Sequence, residues 1–514
     1  MSDSLRPAFI AAEAVPWVKA GGLADVAGAL PRALASRGHR PLLFLPLYDA
    51  VDAPAEALER VLEARVPFFG GRDVASFRLL RLAGGENPSV FFVDAPGYFS
   101  RPGLYTDPET GLAYEDDGER FLFFSLAVLE SLDRLDEGVD IVHCNDYHTG
   151  LVPALLERFW RHRPALEDCA TVYSIHNLAY QGLYAPGILE LAGIPRTEFR
   201  AGSPFEFWGR VNFMKAGIHH ADLVSTVSPR YAREITEPEL GCGLEGVLRQ
   251  RGGDLVGILN GIDAEVWSPD RDPLIEMGYD ARDPDSGKEV NKIALLARAG
   301  LEYRPGLPLV GVVSRLVSQK GFDLLPPVME RLMSLPLQMV VLGTGEKELE
   351  AAFAGFAERW PDRLAVWLTF DDALAHQIEA GADFFLMPSR YEPCGLNQMY
   401  SLRYGTIPVV RYTGGLADTV SEVSGNGEEG SGFGFTEYEP EALLRALGRA
   451  LSFYGRRDAF SALRRRVMAL DHSWDASAAA YEKLYRVARL RRLGHPEKAR
   501  PLLEELRLAA ARGA

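Results

Sequence analysis

Short apolar segments recur along the chain in two series, and a stretch with helical periodicity follows most of them. The segments lack the alternation of apolar and polar residues that half-exposed strands show, which is typical of parallel strands covered on both faces. The first series comprises residues 6–14, 40–47, 88–96, 139–146, 170–177 and 221–229, and the second comprises residues 308–316, 337–345, 364–370, 382–390 and 406–415. Strands that alternate with helices in this way predict two doubly wound α/β domains.

The length of the chain agrees with two domains, because 514 residues exceed the roughly 100 to 200 residues of a usual domain. A turn-rich stretch at residues 254–273 separates the two series, so we place the linker near residue 254. The predicted parts are a first Rossmann-like domain at residues 1–253, a second at 254–472, a helix at 473–490 that packs back on the first domain, and a helical tail at 491–514.

Charge and cysteine content exclude several classes of protein. The formal net charge is −16, from 55 Lys and Arg against 71 Asp and Glu, whereas a general nucleic-acid binder needs a basic face. The four cysteines, Cys144, Cys169, Cys242 and Cys394, form no CxxC pair, which argues against zinc and against a disulfide framework. No segment reads as a signal peptide or membrane span. We therefore expect a cytoplasmic protein without nucleic-acid or membrane partners.

Ligands of open parallel sheets bind beyond the carboxyl ends of the strands, so the residues after each apolar segment are candidate site residues. Lys19, Gly21 and Gly22 follow the first segment and precede an amphipathic helix. Amide groups and the dipole at a helix start favour an anion, and a lysine beside them adds positive charge. The turn is thus a candidate phosphate site, although paired glycines also occur at ordinary helix starts.

The second half carries a comparable set of polar residues. Arg315 and Lys320 stand five positions apart after the segment at 308–316, where forked donors and a point charge could hold a diphosphate. Glu392 follows the segment at 382–390, and a carboxylate there can bind sugar hydroxyls. Gly395 and Leu396, shortly after Glu392, offer further backbone amide groups to a sugar or a phosphate.

Six motifs in this order resemble the bacterial glycogen synthase and plant starch synthase family over about residues 8–486. They are Lys19-Ala-Gly-Gly-Leu-Ala-Asp, His176-Asn-Leu-Ala-Tyr-Gln-Gly, Asn260-Gly-Ile-Asp, Arg315 with Lys320, Glu392-Pro-Cys-Gly-Leu and Thr413-Gly-Gly-Leu. The resemblance implies the GT-B fold, two Rossmann-like domains with an interdomain cleft. It also implies retaining transfer of glucose from ADP-glucose to the nonreducing end of an α-1,4-glucan such as glycogen, without a cofactor.

The resemblance assigns roles to individual positions. Arg315 and Lys320 would neutralise the diphosphate, Glu392 would orient the glucose, and His176 would lie at the transferred sugar. The implied catalytic residues are Glu392, His176, Arg315, Lys320 and Asp146. The implied substrate-binding residues are Lys19, Gly21, Gly22, Tyr98, Asn260, Cys394, Gly395, Leu396, Thr413 and Gly414.

The chain departs from the family's usual pattern at three positions. Ala20 stands where threonine is common, which removes a hydroxyl from the glycine turn. Asn145 and Tyr147 stand where histidine and tryptophan are frequent. The charged residues implied in the mechanism are all present.

Metal dependence would follow if one of two Asp-x-Asp pairs, at residues 270–272 and 283–285, held a divalent ion on the diphosphate. Both pairs lie in turn-rich sequence with no strand leading into them, so we interpret them as turn residues and expect no essential metal.

Three alternatives share part of the pattern. A phosphorylase would need a motif for a pyridoxal-binding lysine, which is not apparent. Another two-Rossmann transferase, for example with UDP-glucose as donor, or a nucleotide-sugar epimerase would not carry all six motifs. A noncatalytic glucan-binding protein would not require Lys19, Arg315, Lys320 and Glu392.

Overall fold

The computed structural model describes residues 4–67, 74–84, 87–135 and 138–512. The chain divides into two compact units. The first unit extends to Leu259 and includes the C-terminal residues from Trp474 to Arg512, while the second extends from Asn260 to Ser473. Within the described ranges, no helix is both long enough and apolar enough to span a membrane.

The first unit contains a nine-stranded sheet and a small three-stranded sheet. The strands are β1 (Pro7–Ile10), β2 (Leu42–Pro46), β3 (Leu58–Pro67), β4 (Val74–Leu82), β5 (Ser89–Asp94), β6 (Ile141–Asn145), β7 (Ala170–Ile175), β8 (Leu183–Tyr184), β9 (Glu206–Phe207), β10 (Arg210–Asn212), β11 (Leu223–Thr226) and β12 (Leu255–Gly257). The large sheet has the order β12-β11-β7-β6-β1-β2-β5-β4-β3, in which β4 pairs antiparallel with both β3 and β5 and the other neighbours pair in parallel. The small sheet has the order β8-β10-β9.

The order of the large sheet reverses at β1, which lies between β2 and β6. Loops that leave the two neighbouring strands at such a switch point diverge and open a crevice at the carboxyl ends. The loop after β1 contains Lys19 and the paired glycines, and the loop after β6 begins with Asp146. The fold therefore brings two of the predicted site segments to one edge of the sheet.

The described residues of the first unit before the division form eight α-helices. They are α1 (Gly22–Ser36), α2 (Pro96–Phe99), α3 (Asp117–Leu135), α4 (Val152–Leu155), α5 (Gly187–Leu191), α6 (Phe213–His220), α7 (Pro229–Glu234) and α8 (Glu245–Arg251). The longest, α3, is buried over most of its length, with four successive apolar residues at 121–124 fully enclosed. This burial explains why α3 is apolar around most of its circumference.

The second unit has one parallel sheet of six strands in the order β15-β14-β13-β16-β17-β18. The strands are β13 (Leu309–Val313), β14 (Gln338–Leu342), β15 (Leu364–Trp367), β16 (Phe384–Met387), β17 (Ile407–Arg411) and β18 (Phe433–Phe435). The helices are α9 (Pro284–Arg298), α10 (Met329–Ser334), α11 (Lys347–Arg359), α12 (Asp372–Gly381), α13 (Asn397–Arg403), α14 (Gly414–Thr419), α15 (Pro440–Tyr454) and α16 (Arg457–Met468). The switch point lies between β13 and β16, so the loops with Arg315 and Glu392 leave adjacent strands.

Two C-terminal helices, α17 (Trp474–Arg492) and α18 (Pro496–Arg512), belong to the first unit. Tyr481, Leu484 and Tyr485 of α17 are fully buried in one apolar cluster with Phe9 of β1. Arg491 of α17 also forms an ion pair with Asp254. Because an apolar face of α17 completes the first core, the chain must return to that unit after the second one.

The division between the units lies after Leu259, a few residues further along the chain than the boundary that we predicted after residue 253. Residues 255–257 form β12, which pairs in parallel with β11 and closes one edge of the first sheet. In the sequence this three-residue strand follows Gly252 and Gly253 and itself ends in a glycine, which is typical of a linker, so the predicted boundary lies before the last strand of the first unit.

Candidate active site

The glycine turn after β1 leads directly into α1, with Gly21 at the N-cap and Gly22 as the first helical residue. Lys19 is half exposed, and its Nζ forms an ion pair with Asp25 Oδ1 at 2.8 Å. Asp25 lies in the first turn of α1, where its negative charge interacts favourably with the positive end of the helix dipole. The turn thus has the position that the sequence predicted, with its lysine held at the helix start.

Glu13, which the sequence analysis did not single out, holds this turn from inside. Its side chain is buried, and its Oε2 accepts hydrogen bonds from the backbone N–H groups of Ala20 and Gly21, the latter at 2.9 Å. A buried carboxylate is costly unless its oxygens are hydrogen-bonded, and two amides meet part of that need. The signal in the sequence was a single acid within the apolar residues 8–15.

Asp146 and His176 follow the neighbouring strands β6 and β7 and are in contact. Asp146 Oδ1 accepts a hydrogen bond from the His176 backbone N–H at 2.7 Å. Burial raises the pKa of Asp146 to about 7. The hydrogen bonds that it accepts from the backbone N–H groups of His176 and Asn177 lower this pKa only in part. Asp146 also has a φ of 53°, which is strained for a residue with a side chain and is characteristic of functional loops.

The His176 imidazole is neutral and has a defined orientation. Burial lowers its pKa to about 4, and its Nε2 lies 2.9 Å from Asn145 Oδ1. Because Asn145 Nδ2 donates to the Ile10 carbonyl at 3.1 Å, its Oδ1 must be the acceptor, and His176 Nε2 carries the proton. His176 Nδ1 is then an acceptor without a hydrogen-bond partner among the described residues, and it is available to a substrate hydroxyl. Asn145, a departure from the family pattern, selects this tautomer.

Two further histidines, His143 in β6 and His148 in the loop after it, pack inside the first unit. His143 is fully buried, with Nδ1 2.8 Å from the Tyr485 hydroxyl and Nε2 2.6 Å from the Ser174 hydroxyl. His148 stacks on the Tyr105 ring at a centroid distance of 4.8 Å and contacts the tilted ring of Tyr147 at 3.8 Å. Burial lowers the pKa of both histidines to about 3, so both are neutral.

Tyr98, a predicted sugar contact, lies in α2 after β5 and is half buried. Its ring stacks on Phe123 with a centroid distance of 4.5 Å, and its hydroxyl donates to Glu119 Oε1 at 3.2 Å. Both partners belong to α3. One ring face is therefore used for packing.

The second unit brings Lys320 and Glu392 together after β13 and β16. Lys320 Nζ lies 2.6 Å from Glu392 Oε2, which also accepts a hydrogen bond from the Ser389 hydroxyl at 3.1 Å. The sequence predicted separate contacts of the two residues with the diphosphate and the glucose, whereas the structure joins them as an ion pair. Arg315 is exposed, and its guanidinium makes no hydrogen bond or ion pair with other residues that the structure describes.

Two backbone segments approach closely around Glu392. Gly415 N–H donates to the Glu392 carbonyl at 3.1 Å. Gly414 has a φ of 45°, and a Cβ there would lie 1.9 Å from the Glu392 carbonyl oxygen. Only glycine permits this approach, so the motif at 413–415 holds the backbone of the loop that carries Glu392.

Asn260 and Cys394 also meet in the second unit. Burial raises the pKa of the Cys394 thiol to about 12, and the neighbouring backbone of Asn260 lowers it only in part. The thiol is therefore unreactive. The Asn260 side-chain oxygen is buried and has no hydrogen-bond partner within the described residues. Gly395 has a φ of 71° and precedes Leu396, the N-cap of α13.

The four aspartates with metal-like spacing have protein partners. Asp272 is buried and bonds to His376 at 2.7 Å and to the Tyr404 hydroxyl at 2.6 Å. Asp285 lies in the first turn of α9, not in a loop, and pairs with Arg464. Asp270 and Asp283 accept hydrogen bonds from the neighbouring hydroxyls of Ser268 and Ser286. These contacts explain all four residues by the local fold.

Comparisons with known proteins identify the family. Residues 8–250 match the starch synthase catalytic domain, and residues 297–466 match the glycosyl transferases of group 1. The chain is 48% identical over 479 residues to a glycogen synthase of Anaeromyxobacter sp. (strain Fw109-5), and the aligned region covers 93% of this chain and 98% of the relative. The chain belongs to the glycogen synthase family. A glycogen synthase of Fervidobacterium nodosum is 43% identical, over 94% of this chain and 99% of the relative.

Solved structures agree with this family and with the GT-B fold. The catalytic domain of starch synthase IV from Arabidopsis thaliana, bound to ADP and acarbose, is 33% identical and superimposes with a TM-score of 0.85, covering 95% of this chain and 99% of that one. A sucrose-phosphate synthase from Thermosynechococcus elongatus, at 17% identity and a TM-score of 0.58, shares the fold. This member of the glycogen synthase family is a hexosyltransferase with glycogen or starch synthase function.

Proposed function

We propose that this enzyme transfers glucose from ADP-glucose to the nonreducing end of an α-1,4-glucan with retention of configuration. The observation that carries the proposal is the Lys320–Glu392 pair at the switch point of the second sheet, 2.6 Å apart. A cation and a carboxylate in contact suit a ligand in which a negative leaving group adjoins a neutral sugar. The bound ADP in the Arabidopsis starch synthase IV structure supports adenine as the base.

Arg315 and Lys320 stabilise the leaving diphosphate. Cleavage of the bond from glucose C1 places negative charge on the phosphate and positive charge on the sugar, and cations aimed at the phosphate lower that barrier. The Arg315 guanidinium is exposed after β13. Its forked donors suit two phosphate oxygens, and the Lys320 ammonium adds a point charge.

Glu392 orients the glucose instead of attacking it. Its Oε2 already accepts from Lys320 and Ser389, which reduces its nucleophilicity and fixes the plane of the carboxylate. Its Oε1 makes no hydrogen bond within the described part of the chain and can accept one from a sugar hydroxyl. Retention then follows from attack on the leaving-group face, with the departing phosphate accepting the proton of the acceptor hydroxyl.

The first unit contributes Lys19, Asp146 and His176. The Lys19 ammonium adds positive charge for the donor beside the amides of the glycine turn. His176 Nδ1 and the second oxygen of Asp146 are hydrogen-bond acceptors at adjacent strand ends, which suits the hydroxyls of a sugar. The His176 imidazole is uncharged at neutral pH, because burial lowers its pKa to about 4.

The direct test is glucose transfer to glycogen from ADP-glucose and, separately, from UDP-glucose. We expect kcat/KM for ADP-glucose to exceed that for UDP-glucose at least about tenfold, which corresponds to about 1.4 kcal/mol of discrimination. A preference for UDP-glucose would refute the choice of donor. Transfer from neither donor by a protein that still binds glycogen would favour a noncatalytic glucan-binding protein.

A chelator arm of the same assay tests our proposal that the enzyme needs neither metal nor cofactor. The cations of the protein perform the charge neutralisation that a divalent ion would otherwise supply. We expect the rate in excess EDTA to stay within about twofold of the untreated rate. Loss of activity with EDTA that added Mg²⁺ restores would refute this expectation.

Asp146→Asn is expected to stabilise the protein and to impair transfer. The folded-state pKa of about 7 lies above the ordinary value of 3.8, so ionised Asp146 lowers stability as the pH rises from 4 to 7. An amide avoids that cost, and we expect a gain of about 1 to 3 kcal/mol at pH 8 that shrinks towards pH 4. Thermal unfolding of both proteins across this pH range measures it. A gain independent of pH would contradict the assignment.

A further inference from the structure

Glu13 is a buried carboxylate with no cation in contact with it among the described residues. Only 3% of the residue is exposed, and it stands in the loop between β1 and α1. The nearby ammonium of Lys19 pairs with Asp25 instead. Burial raises the pKa of Glu13, while the amides of Ala20 and Gly21 and the neighbouring Tyr105 hydroxyl lower it. A group this costly to bury requires a role other than packing.

Its hydrogen bonds show that role. The amides of Ala20 and Gly21 both donate to the same oxygen, Oε2, so the side chain closes the loop of residues 13–21 on itself. The loop is also tied to α1, because Val15 N–H donates to the Ala24 carbonyl at 3.1 Å. The glycine turn thus has one shape, set by an internal acceptor.

This shape determines which groups of the turn remain available. The first amides of a helix have no partner within the helix, and Gly22 is the first residue of α1. Since Glu13 occupies the two preceding amides, the next amide along the chain, that of Gly22, makes no hydrogen bond with the described residues and can donate to a ligand. Lys19 precedes the clamped amides directly, so Glu13 also sets where its side chain leaves the loop.

Glu13 is further connected to the other loops of the same sheet edge. The Tyr105 hydroxyl is buried near it and makes no hydrogen bond with the described residues; the Tyr105 ring stacks on His148, whose ring lies 3.8 Å from that of Tyr147 in a tilted arrangement. The Tyr147 ring in turn fits against Gly182, where a Cβ would lie 2.5 Å from a ring carbon. The rings of Tyr105, His148 and Tyr147 therefore connect the surroundings of Glu13 with the loops that follow β6 and β7.

We propose that Glu13 is a positioning residue for the donor, which shapes the glycine turn so that Lys19 and the Gly22 amide face the donor's diphosphate. This inference rests on the proposed function, in which Lys19 and the turn contact the donor. The acceptor oxygen of the Glu13 side chain, and not its charge, performs this role, because that one oxygen accepts the hydrogen bonds of both amides.

Glu13→Ala and Glu13→Gln separate these roles. Alanine removes the acceptor, and we expect the KM for the nucleotide sugar to rise about tenfold to a hundredfold, since small misplacements of binding groups have effects of this size. The KM for glycogen should stay within about twofold. Glutamine keeps a carbonyl oxygen that can accept both amides, so it should restore the donor KM to within about threefold of the wild-type value.

The outcomes distinguish this inference from the proposed function. Lys19→Ala is the reference: if it raises the donor KM and Glu13→Ala does not, the positioning role is refuted and the donor contact stands. If neither variant changes the donor KM, both fail. If Glu13→Gln is as impaired as Glu13→Ala, the charge matters and the positioning role is refuted. Should alanine lower the melting temperature strongly, Glu13→Met, of nearly equal length but without an acceptor, replaces it.

Discussion

Glu392→Gln is expected to lower kcat by about a hundredfold to a thousandfold, the usual effect of removing one group that acts on the transition state. Glutamine is isosteric, so the loop after β16 should keep its shape. It cannot neutralise Lys320, however, and one of its two acceptor oxygens becomes a donor. Initial rates of transfer to glycogen at saturating ADP-glucose measure the change.

Glu441→Gln is the matched control, because Glu441 in the first turn of α15 also pairs with a cation, Arg331, but is half exposed and is not among the predicted site residues. We expect its kcat to remain within about twofold of the wild-type value. If Glu392→Gln kept more than about a third of the wild-type kcat, Glu392 would have no part in catalysis.

Asp383→Ala is expected to destabilise the second unit by about 3 to 5 kcal/mol, the typical cost of leaving buried charges without their partner. Asp383 is buried, and its Oδ2 accepts from Lys292 Nζ and from the Leu309 N–H, each at 2.8 Å. Its Oδ1 accepts from Arg464. The substitution would leave the ammonium of Lys292 and the guanidinium of Arg464 uncompensated.

Calorimetric or urea unfolding detects this loss as a shift of the transition of the second unit. Glu441→Ala removes an exposed ion pair in the same unit and should leave that transition within the error of the measurement. Burial raises the pKa of Asp383, but Lys292 and Arg464 outweigh it and hold the value below 3.8. The stabilisation is therefore present above pH 4 and lost as the pH falls through the folded-state pKa. An unchanged transition would contradict this account.

The sequence was sufficient to predict the parallel strands of both sheets except β12 and β18. Every one of the eleven apolar segments contains a strand, from β1 at Pro7–Ile10 to β17 at Ile407–Arg411. Strands with a charged or exposed face were missed, because their residues do not form apolar runs. In β3 and β4, for example, Glu59 pairs with Arg81 across an antiparallel ladder that ends the sheet. The three-residue strand β12 was likewise interpreted as a linker.

The sequence by itself determined the family and the positions of the predicted site residues at strand ends, because periodicity and short motifs are local properties of the chain. Only the tertiary structure decided which of those residues touch. Lys320 meets Glu392, and Asn145 meets His176, because strands distant in the chain are neighbours in the sheet. Glu13 illustrates the same limit: a lone acid in an apolar segment acquires its role from two amides that reach it only when the loop closes.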